Sequence, residues 1–533
     1  MQIKILIVVL LEQVYYMIYV KGRMFFAIFF IILIMTTGIV SADEIHVHHK
    51  DSIQDAIHNA NSGDTVVIDS GTYTENIEVY KPVTIKSKSG ITSDTIVTAA
   101  NASKHIFHVS ADNVTIKGFT ITGAHDIGKY GIAFDGVKNC IVSNNHLSDN
   151  RYGIHVSYSG NNTLHNNTIR SNDKDGIFLV KSNYNNLTNN TLSSNQKCGI
   201  CLVSSTGNTL INNSIDSNNE YGIQLRDSSR NNLLRNNTMF NNGYNFGDFT
   251  GENDIDTSNT VDEKPIYYLV ETSNAIINSS SNAGTVYCYD CQNISLKDLI
   301  LKNNTHGIYF YGTTNSYLYN VTTSNNYYGI YIEKSEDNEV INNNIQDNRQ
   351  GIELGNSNYN TLQNNNISLN VYGIYLHDSQ SNKLSDNFIS NNSVGIQQGF
   401  SDDNKIMRNI VSTNHIGFFL YKCNNNLLTG NTVDQNSEYG ILLRYSENNS
   451  MSNNTLYSNN VAISLEDSSN KNTISNNYLS NNIMNIMANE SENRIYDNDI
   501  DRGRSLQILL ISSLLTGIIL TIAFVFLRKK QHF

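Results

Sequence analysis

Three groups of side chains in this sequence are of the types that bind a soft metal ion. They are two C-x-x-C pairs and one histidine cluster: Cys198 with Cys201, Cys288 with Cys291, and His46, His48 and His49. Thiolates and imidazoles suit copper, which is therefore the candidate cofactor. Residues three apart on an extended strand point to opposite faces, so chelation by Cys198 and Cys201 requires a bulge. Disulfide bonds are the competing interpretation for an extracellular chain.

A second group consists of aromatic side chains at fixed positions around a repeated glycine. One column lies directly before the glycine and contains Tyr130, Tyr152, Tyr221, Tyr328 and Tyr372. The other lies two residues after it and contains Phe178, Tyr309, Tyr331, Tyr375 and Phe419. Stacked exposed rings form a platform that can hold sugar rings by face contact and by hydroxyl hydrogen bonds. Ordinary aromatic stacking on strands is the competing interpretation.

A basic column lies two residues before the same glycine in four consecutive repeats: Lys129, Arg151, Lys174 and Lys197. Like charges ~4.8 Å apart repel each other, so the column needs an offsetting anion or carboxylate. An acidic polysaccharide is one such anion. Carboxylates of the chain itself are the alternative. The sequence favours this alternative, in which Asp149, Asp173 and Asp175 neutralise a solvated face.

Catalysis on a polysaccharide requires paired carboxylates with a basic partner. Asp402 and Asp403 are a neighbouring Asp pair in the repeats, but they fall at a corner where other repeats have Ser, Gly or Asn. We therefore predict no catalytic residue, and the sequence favours a binding protein over a polysaccharide lyase or hydrolase.

Composition and periodicity define the elements that position these groups. The 533 residues include 33 Gly, 2 Pro and no Trp, and a net charge of -12 argues against a nucleic-acid partner. Glycine recurs with a step of 22 or 23 residues, which indicates a solenoid. The anchors are Gly131, Gly153, Gly176, Gly199, Gly222, Gly307, Gly329, Gly351, Gly373, Gly395, Gly417 and Gly440.

Each repeat alternates apolar and polar residues over three short segments, as in YGIHVSYSGNNTLHNNTIRSND. This pattern predicts an all-β fold, a right-handed parallel β-helix with three-strand turns of 22–23 residues. Roughly eighteen turns at ~4.8 Å predict one rod on the order of 85 Å long. Asn columns are expected at the corners and in axial ladders. The first of them is read as Asn139, Asn162, Asn185, Asn208, Asn231 and Asn315.

The predicted domains follow from this period. Residues 43–130 form a cap and the first turns, with Ser52 to Ala60 as a capping helix, and 131–242 and 307–500 form the repeats. Residues 243–306 break the period and are expected to leave the rod as an insertion or binding excursion.

Both ends of the chain are apolar. Residues 1–42 predict a signal peptide or leader. Residues 506–527 are long enough to span a bilayer, and the basic tail 528–533 predicts a cytoplasmic C-terminus. The sequence thus predicts a single-pass cell-membrane protein with an extracellular β-helix, and sequons such as Asn101 and Asn161 fit a glycoprotein.

The opening repeats contain Gly63-Asp64, Gly71-Thr72-Tyr73 and Glu75-Asn76, and the period break contains the segment KPIYYLVETSN. With these motifs the chain resembles the NosD-like periplasmic copper-binding proteins over nearly all of Asp43 to Asp501. The resemblance implies an extracytoplasmic role. In denitrifiers such proteins accompany copper-enzyme maturation, whereas archaeal relatives with a C-terminal anchor look like cell-surface proteins.

Three functions therefore remain open. The first is a membrane-anchored protein that either binds an envelope or extracellular polysaccharide, through the aromatic columns and the basic column, or has a structural role in the cell envelope. The second is a copper-binding accessory role. The third is a polysaccharide lyase or hydrolase.

Overall fold

The computed structural model describes residues 42–488, 492–501 and 509–510. Within these ranges no helix is long and apolar enough to cross a lipid bilayer. The predicted leader, membrane helix and tail lie outside the described residues, apart from Ala42 and the pair Leu509–Leu510. That pair forms a short strand beside Met487 and Ala488, which differs from the helix predicted for it.

The predicted capping helix is present as Ile53–Asn59. Ser52 caps its first turn by accepting the N–H of Asp55 at 3.1 Å. The carboxylate of Glu75 accepts the N–H groups of Ile53 at 2.9 Å and Gln54 at 3.0 Å. A negative charge is favourable at this end of a helix, and the apolar side of the helix covers the open edge of the first turn.

The rest of the described chain is β-structure arranged as two stacks of turns. The first stack has three sheets. Sheet A contains the strands Glu44–Val47, Thr65–Ile68, Thr84–Ser87, Thr115–Lys117, Ile141–Ser143, Thr163–His165, Asn186–Thr188, Thr209–Ile211, Leu233–Arg235 and Asp254–Ile255. Sheet B contains Gly71–Thr74, Thr95–Thr98, Thr120–Thr122, His146–Ser148, Thr168–Arg170, Thr191–Ser193, Ser214–Asp216, Thr238–Phe240 and Thr260–Val261. Sheet C contains Ile77–Val79, Phe107–Val109, Tyr130–Asp135, Tyr152–Ser157, Ile177–Val180, Cys198–Val203, Tyr221–Arg226 and Tyr244–Asp248.

The second stack repeats this plan. Sheet D contains Lys264–Val270, Thr285–Tyr289, His306–Tyr311, Tyr328–Glu333, Gln350–Gly355, Tyr372–His377, Val394–Gly399, Ile416–Tyr421, Tyr439–Arg444, Val461–Glu466, Met484–Ala488 and Leu509–Leu510. Sheet E contains Ile276–Ile277, Ser295–Lys297, Tyr317–Tyr319, Glu339–Ile341, Thr361–Gln363, Lys383–Ser385, Lys405–Met407, Leu427–Thr429, Ser450–Ser452, Thr473–Ser475 and Arg494–Tyr496. Sheet F contains Ile300–Lys302, Thr322–Ser324, Asn344–Gln346, Asn366–Ser368, Phe388–Ser390, Ile410–Ser412, Thr432–Asp434, Thr455–Tyr457, Tyr478–Ser480 and Asp499–Ile500. Two short 3-10 helices, Thr92–Asp94 and Ser279–Ser281, complete the described elements.

Equivalent strands of successive turns pair in parallel, so the side chains at one repeat position form a column. Ile352, for example, lies beside Ile330 and Ile374. These inward residues are fully buried. They form two apolar cores, and the core of the first stack also includes Ile266, Tyr287, Tyr289 and Tyr309 of sheet D. The prediction of an all-β parallel solenoid is confirmed, and the described chain contains about 21 turns rather than the roughly eighteen expected.

Asparagine has two distinct roles at the corners, and they belong to neighbouring residues. Asn364 adopts a positive φ of 54° and is exposed, whereas Asn365 points inward and is 1% exposed. The buried side chain donates to Val340 O at 2.8 Å and to Asn387 Oδ1 at 2.9 Å, which links three turns. The predicted first Asn column was therefore wrong by one residue at Asn139, Asn231 and Asn315, because these three are corner residues with positive φ rather than members of the buried ladder. Their inward neighbours are Cys140, Asn232 and Ser316.

The segment 243–306 does not leave the rod as an excursion. It completes the last turn of the first stack and forms the first turns of the second. The chain reverses where Val261 pairs antiparallel with Lys264. Backbone hydrogen bonds from Asn245 N to Asn303 O at 2.7 Å and from Thr305 N to Phe246 O at 3.0 Å then join the two stacks. The segment is a junction within the solenoid, because its apolar positions continue the stacking of the turns on either side.

Candidate functional site

The repeated glycine decides which side chains share the outer surface of sheets C and D. A Cβ on Gly395 would stand 2.7 Å from Gly417 O, so only glycine allows the turns to approach here. The pairing between neighbouring strands skips the glycine: His306 pairs with Tyr328 and Ile308 pairs with Ile330, while the glycines between them are not paired. The strand bends at this point. Consequently the residue before the glycine and the residue two after it lie on the same outer side.

The two predicted aromatic columns therefore meet. The ring centroids of Tyr328 and Tyr331 are 4.8 Å apart, and those of Tyr372 and Tyr375 are 5.9 Å apart. Tyr309 is buried, and the other predicted tyrosines are half-buried rather than exposed, because each ring packs against its neighbours: Tyr130, Tyr152, Tyr221, Tyr328, Tyr331, Tyr372 and Tyr375. In the first stack the series is interrupted between Tyr152 and Tyr221 by Asp175 and Cys198.

The aromatic surface crosses the junction between the stacks. Tyr244 lies 5.5 Å from Tyr221 in the first stack and 6.0 Å from Tyr327 in the second, between ring centroids. Tyr327 is in turn 4.7 Å from Tyr328. Because Tyr244 and Tyr327 fall within or just after the period break, the sequence pattern did not place them in the columns.

Glycines next to the second column determine how its tyrosines lie. A Cβ on Gly355 would stand 3.1 Å from Oη of Tyr331, so the phenol end of this ring rests against the bare backbone of the next turn. A Cβ on Gly399 would stand 3.9 Å from Oη of Tyr375, in the equivalent position. Both rings are thus held along the sheet rather than projecting into solvent.

One carboxylate lies between these rings, and a second lies beside Tyr331 on the same strand. Glu353 is in register with Tyr331 on one side and Tyr375 on the other, and it is 7% exposed. Glu333 accepts a hydrogen bond from Tyr309 Oη to its Oε2 at 2.5 Å. Burial, followed by the charge of Glu333, raises the pKa of Glu353 to about 7. We call the outward side of Tyr331, Glu333, Glu353, Gly355 and Tyr375 the tyrosine–glutamate face.

Sequence reasoning missed both glutamates. They are separated along the chain, and they become neighbours only when the 22-residue step of this stack is applied. A charged residue within an aromatic column was the signal that could have found Glu353. By contrast, Asp403 has a positive φ of 59° and Asp402 accepts the N–H of Asn424 at 2.6 Å, so this pair is a corner, as predicted.

The basic column lies elsewhere and is not neutralised as expected. Among the described residues, its members have no ion pair with Asp149, Asp173 or Asp175 within 4.0 Å, and Lys197 instead lies 3.6 Å from Glu220. Asp175 is buried, where it accepts the N–H of Cys198 at 3.0 Å. The other three members of the column are half-buried: Lys129, Arg151 and Lys174.

The sulfurs of Cys198 and Cys201 converge, and our expectation that they point to opposite faces was wrong. Both thiols lie 3.8 Å from Oε1 of Gln224, because the bend at Gly199 turns them to one side. Both are buried, and all six cysteines are free thiols. The hydrogen bond with Cys201, together with burial, raises the pKa of the Cys198 thiol well above its usual range.

The remaining candidate metal ligands lie apart from this pair. Cys288 is buried in the core of the second stack, and Cys291 donates to Tyr289 O at 3.3 Å. The histidine cluster lies near the N-terminal end of the described residues. There His48 pairs with Asp69 at 2.7 Å, His46 lies 3.8 Å from Glu44, and His49 lies against Gly71. Within the ranges that the structure covers, no group of three or more His, Cys, Asp or Glu side chains could hold a metal ion.

The fold and this site define a parallel β-helix protein whose outward aromatic columns run along the solenoid. A family model described as periplasmic copper-binding protein (NosD) matches residues 57–269, 251–416 and 395–507. The chain belongs to the NosD family.

One curated relative is a cell surface glycoprotein of Methanothermus fervidus, which is 33% identical over 125 residues. The match covers 22% of this chain and 20% of the relative's length. Among solved structures, a family 28 exopolygalacturonase of Yersinia enterocolitica has a TM-score of 0.41 at 13% identity, over 60% of this chain and 78% of that one. An alginate lyase from Paenibacillus sp. FPU-7 has a TM-score of 0.34 at 14% identity, over 53% and 94%. Likenesses at this level say nothing about activity.

The family description implies copper, and the side chains present limit how copper could be held. The Cys198 and Cys201 sulfurs are a soft donor pair of the kind that copper(I) prefers. They fit a two-sulfur site on the outer side of sheet C, with Gln224 beside it. They do not fit a site with three or more protein ligands, since no further His, Cys, Asp or Glu in the described chain completes one.

Proposed function

We propose that this chain is an extracytoplasmic envelope protein that binds a polysaccharide along the tyrosine–glutamate face. The observation that carries this proposal is the arrangement of Tyr331 and Tyr375, which lie two turns apart with Glu353 between them. Two turns correspond to ~9.6 Å along the solenoid axis, which suits successive sugar rings of an extended polymer better than a single sugar. Tyrosine provides both an apolar ring and a hydroxyl for such a ligand.

The charges of the face favour a neutral polymer. The Glu333 carboxylate would repel the carboxylate of a uronic acid, while the oxygens of both glutamates can accept hydrogen bonds from sugar hydroxyls. The net charge of -12 gives the same preference for the whole chain. The basic column does not adjoin this face, since its residues belong to the first stack.

Co-sedimentation of the full chain, purified in detergent, tests this proposal. The probes are insoluble neutral polysaccharides, with pectate as the acidic comparison. We expect retention by at least one neutral polymer, and loss of that retention in the double variant Tyr331→Ala with Tyr375→Ala. Phe178→Ala is the matched control, because Phe178 has the same repeat position in the first stack. Equal retention of all three proteins would contradict the proposal.

Location and anchoring belong to the same proposal. The family description is periplasmic and one relative is a cell surface glycoprotein, which supports a place outside the cytoplasm. The apolar segment 506–527, followed by a basic tail, supports a membrane anchor. Membrane fractionation of the full chain against a chain ending at Asp501 tests this part, and a full chain found only in the soluble fraction would contradict it.

A second function, copper(I) binding, is favoured by the convergence of Cys198 and Cys201 on Gln224. Copper binding would need both thiols to lose their protons, which burial opposes. We expect one copper(I) per chain that disappears in Cys198→Ala with Cys201→Ala and persists in Cys288→Ala with Cys291→Ala. Unchanged copper content in the first double variant would exclude this site.

A further inference from the structure

The two glutamates of the tyrosine–glutamate face lie in different environments. The Glu333 carboxylate is half-buried and its Oε2 accepts the Tyr309 hydroxyl at 2.5 Å. Glu353 is 7% exposed, and its Oε2 is buried with no hydrogen-bond partner. An unpartnered buried carboxylate is unfavourable when charged, so the neutral form is preferred. Glu333 is therefore suited to accept a proton, and Glu353 is suited to donate one.

The groups that face Glu353 support this division. Tyr331 and Tyr375 lie beside it on the two neighbouring turns, and Tyr328 and Glu333 are close enough to interact electrostatically. Arg349, an exposed cation four residues before Glu353, lies 5.0 Å above the ring of Tyr327 instead. No cation in the described residues forms an ion pair with Glu353, so its proton is retained up to about pH 7.

The position of Glu353 along the solenoid matches a linkage in a bound polymer. It lies one turn, ~4.8 Å, from each of the two tyrosines. A sugar chain that contacts both rings would therefore pass its bridging oxygens over this carboxyl group. Gly355, in register with Glu333 and His377, contributes no side chain on the same strand, and the phenol end of Tyr331 lies against it.

We propose that Glu353 and Glu333 hydrolyse glycosidic bonds of the neutral polysaccharide bound on this face, an inference that rests on the proposed binding function. Glu353 donates its proton to the bridging oxygen while the bond from that oxygen to the anomeric carbon breaks. Water attacks the anomeric carbon and gives one proton to Glu333, which leaves a hydroxyl at the new reducing end. Return of that proton through solvent to Glu353 completes the cycle, and one water is consumed per bond.

Hydrolysis is the reaction class that fits these groups. Elimination by a lyase needs a uronic acid, whose carboxylate activates the proton that is removed. Such a substrate would be repelled by the Glu333 carboxylate. A neutral sugar has no activated proton of this kind, so a proton donor and a water-activating base are what its cleavage requires.

The test uses the full chain and a neutral polysaccharide that it retains, with new reducing ends as the readout. We expect Glu353→Gln and Glu333→Gln each to lower the rate at least about 100-fold, the lower limit for a general acid or base. Both variants should still retain the polymer, because the rings of Tyr331 and Tyr375 are unchanged. Glu339→Gln is the matched control, since Glu339 is exposed on sheet E, away from this face. It should hydrolyse at the wild-type rate.

A pH profile separates chemistry from a structural role. Because Glu353 must be protonated to act, the wild-type rate should fall as the pH rises through about 7. Retention without new reducing ends would overturn the hydrolysis and leave the binding function standing. Absence of retention would overturn both. Wild-type hydrolysis by Glu353→Gln would overturn the assignment of Glu353.

Discussion

The two stacks share one interior but differ on their outer surface. Asn190 in the first stack and Asn365 in the second make nearly the same contacts, with Nδ2 bonds of 2.8 and 3.0 Å in one and 2.8 and 2.9 Å in the other. Burial of polar groups without water demands these bonds in every turn. The interior therefore repeats, whichever function the outside has.

The outer surfaces are different in chemistry. The column two residues after the glycine contains Phe178, Cys201 and Gln224 in the first stack. Gly355 lies in register with Glu333, the residue two positions after Tyr331. The equivalent residue in the first stack is Val203, which lies in register with Val180, two positions after Phe178. A branched side chain at that position prevents a ring from resting on the backbone. Outward positions are therefore less constrained than inward ones, and the tyrosine–glutamate face lies on the second stack.

The largest effect is expected from breaking the shared interior. Asn190→Ala and Asn365→Ala each remove the side-chain acceptor of a buried backbone N–H, that of Asn167 and that of Asn343 respectively. They also remove the Nδ2 hydrogen bonds to Leu164 O and Val340 O. We expect each to lower the free energy of unfolding by about 4 kcal/mol. Thermal unfolding followed by circular dichroism measures it. Asn364→Gly, at an exposed residue with positive φ, is the near-neutral control. Clearly unequal losses in the two stacks would break the comparison.

The next effect concerns pH and only the second stack. Burial raises the pKa of Glu353 from 4.5 to about 7 in the folded chain. The unfolded chain therefore ionises first, and stability that is fully present below pH 4.5 is lost until about pH 7. The loss corresponds to about 3 kcal/mol. Melting temperatures from pH 4 to pH 8 should fall less steeply in Glu353→Gln than in the wild type.

Gln224 occupies the equivalent position in the first stack and does not titrate. Its replacement by Ala should leave the pH dependence of melting as it is in the wild type. If Glu353→Gln also leaves it unchanged, the carboxyl group is not buried as the structure shows.

A smaller effect sharpens the contrast between the two outer surfaces. Tyr331→Ala should weaken binding of the retained neutral polysaccharide about fivefold, since one aromatic contact is worth about 1 kcal/mol. Phe178→Ala should change the affinity for the polysaccharide by less than twofold, because we expect the first stack not to contact this ligand. Binding isotherms with the full chain measure both, and the reverse order of effects would assign the ligand to the first stack.

The smallest effect compares two glycines within the second stack. A Cβ at position 355 would stand 3.1 Å from Tyr331 Oη, whereas one at position 399 would stand 3.9 Å from Tyr375 Oη. Gly355→Ala must displace a ring and should weaken binding about threefold, while Gly399→Ala is accommodated. The same isotherms report this difference. Equal affinities for both variants would show that the ring position does not matter.

The sequence predicted much of the fold because burial repeats at every turn. Inward residues such as Ile352 and Asn365 must be apolar or fully hydrogen-bonded, so the period is visible in the residue types themselves. The capping helix was predictable for the same reason, since Ile53 and Ile57 form an apolar side with Ser52 before it.

The tertiary structure alone decided which outward groups meet. Whether Cys198 and Cys201 face each other depends on the bend at the glycine, and whether Glu333 approaches Glu353 depends on the register between turns. The direction of the chain at Val261 and Lys264 likewise follows from pairing rather than from local pattern. Outer contacts form between turns where water satisfies unused polar groups, so no local constraint records them in the sequence.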